Sequence, residues 1–313
     1  MKVLIVGLGS IARKHIAALR NMDPDIEIEA LRQSRFSKEE KGVRSIFSLP
    51  HKPDYDFIII SNPTSLHAAT IDRLIDLKIP LFIEKPLFHT LEHEDVVKKA
   101  QQLGIINYVA CNLRFLDSLI YLHKYLEDNP GKRVNEVLSY CGSSLPDWRP
   151  GKDYKQSYSA NPDLGGGVHL DLIHEIDYIC WLFGFPQSSL GVLRNVSSLG
   201  IEAFDYANYM LFYPGFTASV ILNYYRKDYR RELQVVFEEE TWIVDLKENR
   251  ISDSEGKIIY QGKNGIQESY QCQMEYFVSL IKENRKAEND IINAYNTLQI
   301  ALNNIDSDER FKR

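Results

Sequence analysis

The sequence predicts an α/β protein in two parts. The first is built on a doubly wound parallel sheet, and the second is an α+β domain with a large, mainly antiparallel open sheet. Three observations carry this. Short β-rich runs alternate with helical patterns through the first third of the chain, the mark of βαβ units. A glycine turn joins the first of those runs to the first helical pattern. From 189 to 260 strand follows strand with turn residues between them, which favours antiparallel pairing.

The elements follow in order. Strands are predicted for KVLIV at 2–6, IEIEAL at 26–31, DFIII at 56–60, LFIE at 81–84 and NYVAC at 107–111, with helices IARKHIAALRNM, SLHAATIDRLIDL and LEHEDVVKKAQQL between them. A helix at 117–128, a strand near 134–143, a polar and aromatic loop to about 163 and a helix at 167–183 come next. YANYMLFY, TASVILNYY and ELQVVFEE read as strands, with Pro214-Gly215 dividing the first two, and two helices at 268–285 and 288–305 finish the chain. A length of 313 residues suits two domains at roughly 150 each. We place the boundary near 118, giving 1–118 and 119–313.

Composition removes several function classes. An apolar share of 44% and a charged share of 26% are ordinary for a globular chain, and no apolar run approaches the ~18 residues of a membrane helix. The net charge of −6 is interspersed, without the basic stripe of a nucleic-acid surface. MKVLIVGLGS lacks the uninterrupted apolar stretch and cleavage site of a secretory signal. Cys111, Cys141, Cys180 and Cys272 show no CxxC or framework spacing. A soluble, cytoplasmic protein with reduced thiols is expected.

The strand VLIV runs into GLGSIARKH, where Gly7, Gly9 and Ala12 fill the G-x-G-x-x-G/A pattern of a Rossmann dinucleotide-binding turn. Gly7 permits the tight turn, Gly9 lets backbone approach a pyrophosphate, and Ala12 lets helix and strand pack closely. Ser10 and Ile11 complete the stretch, and the helix N-terminus faces the phosphate charge. A NAD enzyme usually carries an acid at the tip of the second strand for the ribose 2′-hydroxyl. Here Glu29 lies inside the strand and the tip reads Arg32, Gln33, Ser34, Arg35. Arginine and serine suit a 2′-phosphate, so NADP(H) is favoured over NAD(H).

Ligands of open α/β sheets bind beyond the carboxyl ends of the strands. Lys85 stands at such an end, after LFIE, where an ammonium can hold a substrate oxygen, and Pro86 restricts Lys85 to extended geometry. GLGSIA at 7–12, SNPTSLH at 61–67, EKP at 84–86, NLRF at 112–115 and GGGVHLDLIHEID at 165–177 together resemble the Gfo/Idh/MocA superfamily over nearly the whole chain. The resemblance implies a Rossmann domain followed by an open-sheet domain, and hydride transfer between a nicotinamide and a sugar, cyclitol or similar carbon. It implies Lys85, Asp171 and His174 as the catalytic set, and Asn62, Pro63, His67 and Glu84 beside the cofactor. Many members space the aspartate and histidine as D-x-x-x-H, one residue longer than the D-x-x-H here.

Helical geometry places Asp171, His174 and Tyr178 on one face and His169 on the opposite one, where it reads as structural. A histidine titrates near neutrality and suits proton exchange with an alcohol or carbonyl. The acids and histidines of this stretch spread around the helix and do not converge on a metal. Asn112 and Arg114 follow NYVAC, again at a carboxyl end, with donors for hydroxyls or a carboxylate. The loop before the catalytic helix carries Trp148, Arg149 and Tyr154 as candidates to stack on a sugar ring or pair with an acidic group. The expected function is an NAD(P)-dependent oxidoreductase of a sugar, nucleotide sugar or related polyol, assembling as a homodimer or homotetramer through the C-terminal sheet. Two alternatives stay open: a cofactor-binding sensor that has lost chemistry, and a reductase or dehydrogenase of a non-sugar.

Overall fold

The computed structural model describes residues 1–32 and 39–303, which divide into two compact units. The first unit comprises Met1–Cys111 and Tyr270–Asn296, and the second Asn112–Ser269 and the chain from Thr297. The division differs from a single cut near 118 in that a C-terminal stretch returns to the first unit.

The first unit runs β1 (Lys2–Val6), α1 (Ser10–Met22), β2 (Glu27–Leu31), β3 (Arg44–Ile46), β4 (Phe57–Ile60), α2 (His67–Ile75), β5 (Leu81–Ile83), α3 (Glu94–Leu103) and β6 (Asn107–Val109). Its six strands lie in the order β3-β2-β1-β4-β5-β6, all parallel. Strands of such a sheet are covered on both faces and therefore read as continuous apolar runs, as FIII and LFI do. β3 is the one strand that the sequence pattern misses: RSI is three residues long and lacks a buried residue.

The second unit begins with α4 (Asp117–Asp128) and β7 (Val134–Ser144), then α5 (Val168–Asp171), α6 (His174–Phe183), β8 (Ser188–Arg194), β9 (Tyr206–Phe212), β10 (Thr217–Asn223), β11 (Tyr225–Phe237), β12 (Thr241–Asp245), β13 (Arg250–Ser252) and β14 (Ile258–Gln261). The order is β14-β13-β12-β11-β7-β10-β9-β8, antiparallel except for the β7–β10 pair. Alternation is clear on β9, where Ala207, Tyr209 and Leu211 are buried while Met210 is exposed. The mainly antiparallel sheet expected from 189–260 is present.

The last two helices among the described residues are α7 (Ile266–Glu283) and α8 (Ile291–Ala301). Phe277 of α7 explains the return to the first unit. It is fully buried and lies edge-on to Phe57 and Phe82, each at 5.4 Å, a side chain worth ~3–5 kcal/mol on truncation to alanine. Among the described residues no helix is long and apolar enough to cross a membrane.

The single helix expected over 167–183 is two. Leu172, at φ −104° and ψ 30°, ends α5, and α6 starts at His174. Bonds of the i→i−3 type from Glu175 to Leu172 and from Ile176 to Ile173 carry the chain across the break.

Candidate functional site

The first unit builds a dinucleotide cradle from local rules. β1 ends at Gly7, whose φ of +92° suits glycine, and a Cβ there would sit 2.5 Å from the Asn62 backbone. Gly9, by contrast, has nothing within 4 Å of an added Cβ, so the space above the turn is open. α1 starts with no side-chain cap, which leaves its first N–H groups and its positive end for an anion. Ala12 is fully buried, as close helix–strand packing requires. Ser61, absent from the sequence-based candidates, donates from Oγ to the Gly7 carbonyl at 2.8 Å and fastens the turn to the end of β4.

Next to the turn, Asn62 donates to Thr70 Oγ1 at 2.8 Å, while its buried Oδ1 has no hydrogen-bond partner. A cavity of about 440 Å³ opens here, lined by Asn62, Thr70, Arg32, Phe47 and Arg73. The orphaned acceptor, the uncapped helix end and the open face of Gly9 fit a dinucleotide. Arg32 stands after the tip of β2 with Nη1 3.4 Å from Ser45 Oγ. Arg73 of α2 is a second cation on this lining, absent from the sequence-based candidates. Ser34 and Arg35 lie outside the described residues. Glu29 turns to Tyr55, which donates to it at 2.6 Å, and to Arg44. Burial is the largest influence on Glu29 and opposes its ionisation, yet Tyr55 and Arg44 hold its pKa below the ordinary value.

His67 is buried between backbone carbonyls, with Nε2 3.0 Å from Asn62 O and Nδ1 3.1 Å from both Pro86 O and Leu87 O. It thereby ties the turn around the exposed Pro63 to the segment after Lys85, and burial lowers its pKa. Lys85 is half-buried at the carboxyl end of β5, and the Lys85–Pro86 peptide is cis. Glu84 is buried beside it. One oxygen accepts the Lys85 N–H at 3.2 Å, and the other lies 2.5 Å from Nε2 of His15, a fully buried residue of α1. Position alone points to His15: it follows Ala12 by three residues and so shares the inner face of α1.

The second unit holds the rest of the predicted set. Asp171 ends α5 and accepts a hydrogen bond from Tyr224 Oη at 2.5 Å. Tyr224 is fully buried, which raises its phenol pKa, and the adjacent Asp171 raises it further. Nothing in the local sequence marks Tyr224, since it reaches Asp171 only through tertiary structure. His174 opens α6 and is 8% exposed. Tyr178, expected beside Asp171 and His174, shares a hydrogen bond with Ser139 of β7 at 2.7 Å and is fully buried. His169 packs edge-on to Phe204 at 5.4 Å, and burial pushes its pKa down to about 4.

The remaining candidates have neighbours of their own. Arg114 makes a bidentate pair with Asp177 at 2.8 and 2.7 Å. Asn112 donates to Ser269 Oγ at 2.7 Å and Tyr154 to Leu199 O at 3.0 Å. Trp148 donates from Nε1 to Ser143 Oγ at 3.0 Å, and Arg149 is exposed.

Two family models match this architecture: "Oxidoreductase family, NAD-binding Rossmann fold" over residues 1–110, and "GFO/IDH/MocA C-terminal domain" over residues 133–243. The chain belongs to the Gfo/Idh/MocA oxidoreductase family. Among curated family relatives, Thermotoga maritima myo-inositol 2-dehydrogenase is 25% identical over 194 residues, 59% of this chain and 55% of the relative. The Lacticaseibacillus casei inositol 2-dehydrogenase/D-chiro-inositol 3-dehydrogenase is 30% identical over 210 residues, 61% of this chain and 56% of the relative. The match thus spans about half the length of these curated relatives. In fold the chain is similar to levoglucosan dehydrogenase in complex with NADH and levoglucosan, at a TM-score of 0.83 and 17% identity, covering 98% of this chain and 96% of that one. It is also similar to the WlbA dehydrogenase of Bordetella pertussis in complex with NADH and UDP-GlcNAcA, at a TM-score of 0.80 and 18% identity, covering 98% and 96%.

Proposed function

We propose that this chain is an NAD(P)-dependent oxidoreductase that interconverts a CH–OH and a keto carbon of a sugar, nucleotide sugar or related polyol. The observation that carries this reading is Lys85 at the carboxyl end of β5, in the same unit as a glycine turn with an open, uncapped anion site. A bound nicotinamide supplies the hydride acceptor or donor. The chain's own residues handle the oxygen and its proton. Lys85 donates a hydrogen bond to the reacting oxygen and stabilises its developing negative charge. His174 takes the hydroxyl proton on oxidation and returns it on reduction. Asp171, oriented by Tyr224, accepts from a substrate hydroxyl or orients His174.

NADP(H) is the favoured cofactor. Arg32 and Arg73 line the cavity near the end of β2, and Glu29, the acid of that strand, is engaged by Tyr55 and Arg44. Cys111, Cys141, Cys180 and Cys272, with no framework spacing among them, suit the cytoplasm. Self-association through the exposed face of the antiparallel sheet is supported by Met210 and Leu190, 42% and 38% exposed on neighbouring strands, and a Met210→Asp variant that keeps the wild-type mass by light scattering would refute it.

Calorimetric titration with NADPH and NADH, followed by absorbance assays against sugars and nucleotide sugars, tests the reading. Tighter binding of NADPH with turnover of a panel member is expected. Binding of neither cofactor would overturn it.

A further inference from the structure

The second unit contains an open cavity of about 400 Å³ that no step above uses, within the ~300–1,000 Å³ range of small-molecule sites. One of its lining residues is Arg231 of β11, in register with Cys141 of β7 and 9% exposed. Its Nε and Nη2 donate to the fully buried Glu175 at 2.5 and 3.1 Å. That side-on mode fixes the guanidinium plane, and with Tyr229 of the lining as a further hydrogen-bond partner it leaves two of the five N–H donors for a ligand.

Trp148 forms a wall. Its indole N–H is held by Ser143, its ring stands at 87° to that of Tyr224, and it is 40% exposed. Tyr224 is the residue that bonds Asp171, so the cavity wall is linked to the predicted catalytic aspartate through one side chain. Lys227 stands at the exposed rim with Nζ 3.3 Å from Ser144 Oγ, and among the described residues it has no ion-pair partner. Asp147 is the exposed acid on the lining, an acceptor for sugar hydroxyls.

We propose that this cavity is the subsite for an anionic group on the sugar substrate, a carboxylate or a phosphate, held by the remaining Arg231 donors and Lys227 Nζ while the ring packs on Trp148. Planar, fixed guanidinium and mobile ammonium together match an oxyanion, and an indole face matches the apolar face of a pyranose. This rests on the oxidoreductase reading and narrows its substrate class to acidic or phosphorylated sugars.

The test is calorimetry on the intact protein with glucose, glucuronate, glucose 1-phosphate and UDP-glucuronate, each with and without saturating NADPH. At least one anionic sugar binds about tenfold or more tightly than glucose, as one charge-assisted hydrogen bond implies. A preference for glucuronate assigns the carboxylate, and one for glucose 1-phosphate the phosphate. Lys227→Gln reduces the preference about tenfold, and its exposed side chain makes this a variant that folds. Trp148→Phe removes the change in tryptophan fluorescence on binding. Equal affinities for neutral and anionic sugars, no sugar binding, or a preference untouched by Lys227→Gln would overturn the subsite. Failure of both NADPH and NADH to bind, with anionic sugars still bound, would instead overturn the oxidoreductase reading and leave the subsite standing.

Discussion

Replacing His15 with alanine tests how α1 and Lys85, the proposed catalytic lysine, are joined. His15 Nε2 lies 2.5 Å from Glu84 Oε1, and relative exposures are 0% for His15 and 7% for Glu84. Removing one member of this buried pair leaves the other polar group without its partner and costs ~1–3 kcal/mol. For a chain of this size that is a fall in Tm of roughly 5 °C. The second carboxylate oxygen still accepts the Lys85 N–H at 3.2 Å, so the freed Glu84 also loosens the backbone that presents Lys85. A shift of even 1 Å at the lysine lowers kcat by about 10–100-fold, with KM changing far less.

Unfolding should be followed by circular dichroism. All three tryptophans, Trp148, Trp181 and Trp242, belong to the second unit, so their fluorescence is blind to the perturbed one. The decisive comparison adds Glu84→Gln. In the wild type that change weakens the pair; in His15→Ala the partner is already gone, and the same change costs less by about 1 kcal/mol. If Glu84→Gln had the same effect in both backgrounds, within about 0.5 kcal/mol, the two residues would not be coupled and the link to Lys85 would fail.

Three other outcomes are expected. Gly9→Ala meets no atom within 4 Å and should keep the wild-type Tm while weakening NADPH binding measured by calorimetry, whereas Gly7→Ala meets the Asn62 backbone at 2.5 Å and should lower both. Lys85→Ala and His174→Ala should each lower kcat by about 10²–10⁴-fold with cofactor affinity within a few-fold, and near-native rates in both would remove them from the chemistry. His169 has a folded pKa near 4 against about 6.5 unfolded, so between these values the unfolded chain binds a proton that the folded one does not. Stability is then full above pH 6.5 and falls by about 3 kcal/mol as pH drops to 4, with the depressed His67 adding to the same slope, and His169→Leu should flatten it in urea titrations.

What was legible in the sequence was local. The glycine turn, the parallel strands and the hairpin series each depend on residues a few positions apart, and all three are present. What was not legible depends on partners far along the chain. The helix over 167–183 breaks at Leu172, and Asp171 beside the break is held by Tyr224, 53 residues on. Arg114 looked like a group waiting for a substrate, but Asp177, 63 residues later, takes its guanidinium in a bidentate pair. Phe277 sends part of α7 to the first core, an outcome decided by the aromatic cluster of Phe57 and Phe82 rather than by any linker.

Glu29 shows how the same division bears on cofactor choice. Counting from the glycine turn finds an acid near the right distance, and spacing alone would assign it to a ribose hydroxyl. Strand register decides otherwise. Glu29 pairs with Arg44 across β2 and β3, and Tyr55 donates to it at 2.6 Å, so its acceptors are taken by the protein itself. Arg32 stands after the strand tip, and a cation there beside a committed acid is the ground for the proposed preference for a phosphate on the ribose. Freeing the acid should reverse the preference: Arg44→Ala with Tyr55→Phe releases Glu29, and Arg32→Ala removes the cation. The NADPH-to-NADH affinity ratio, measured by calorimetry, should fall most in Arg32→Ala, by about tenfold for one charge-assisted contact. A ratio unchanged by Arg32→Ala would mean that the tip of β2 does not read the ribose at all.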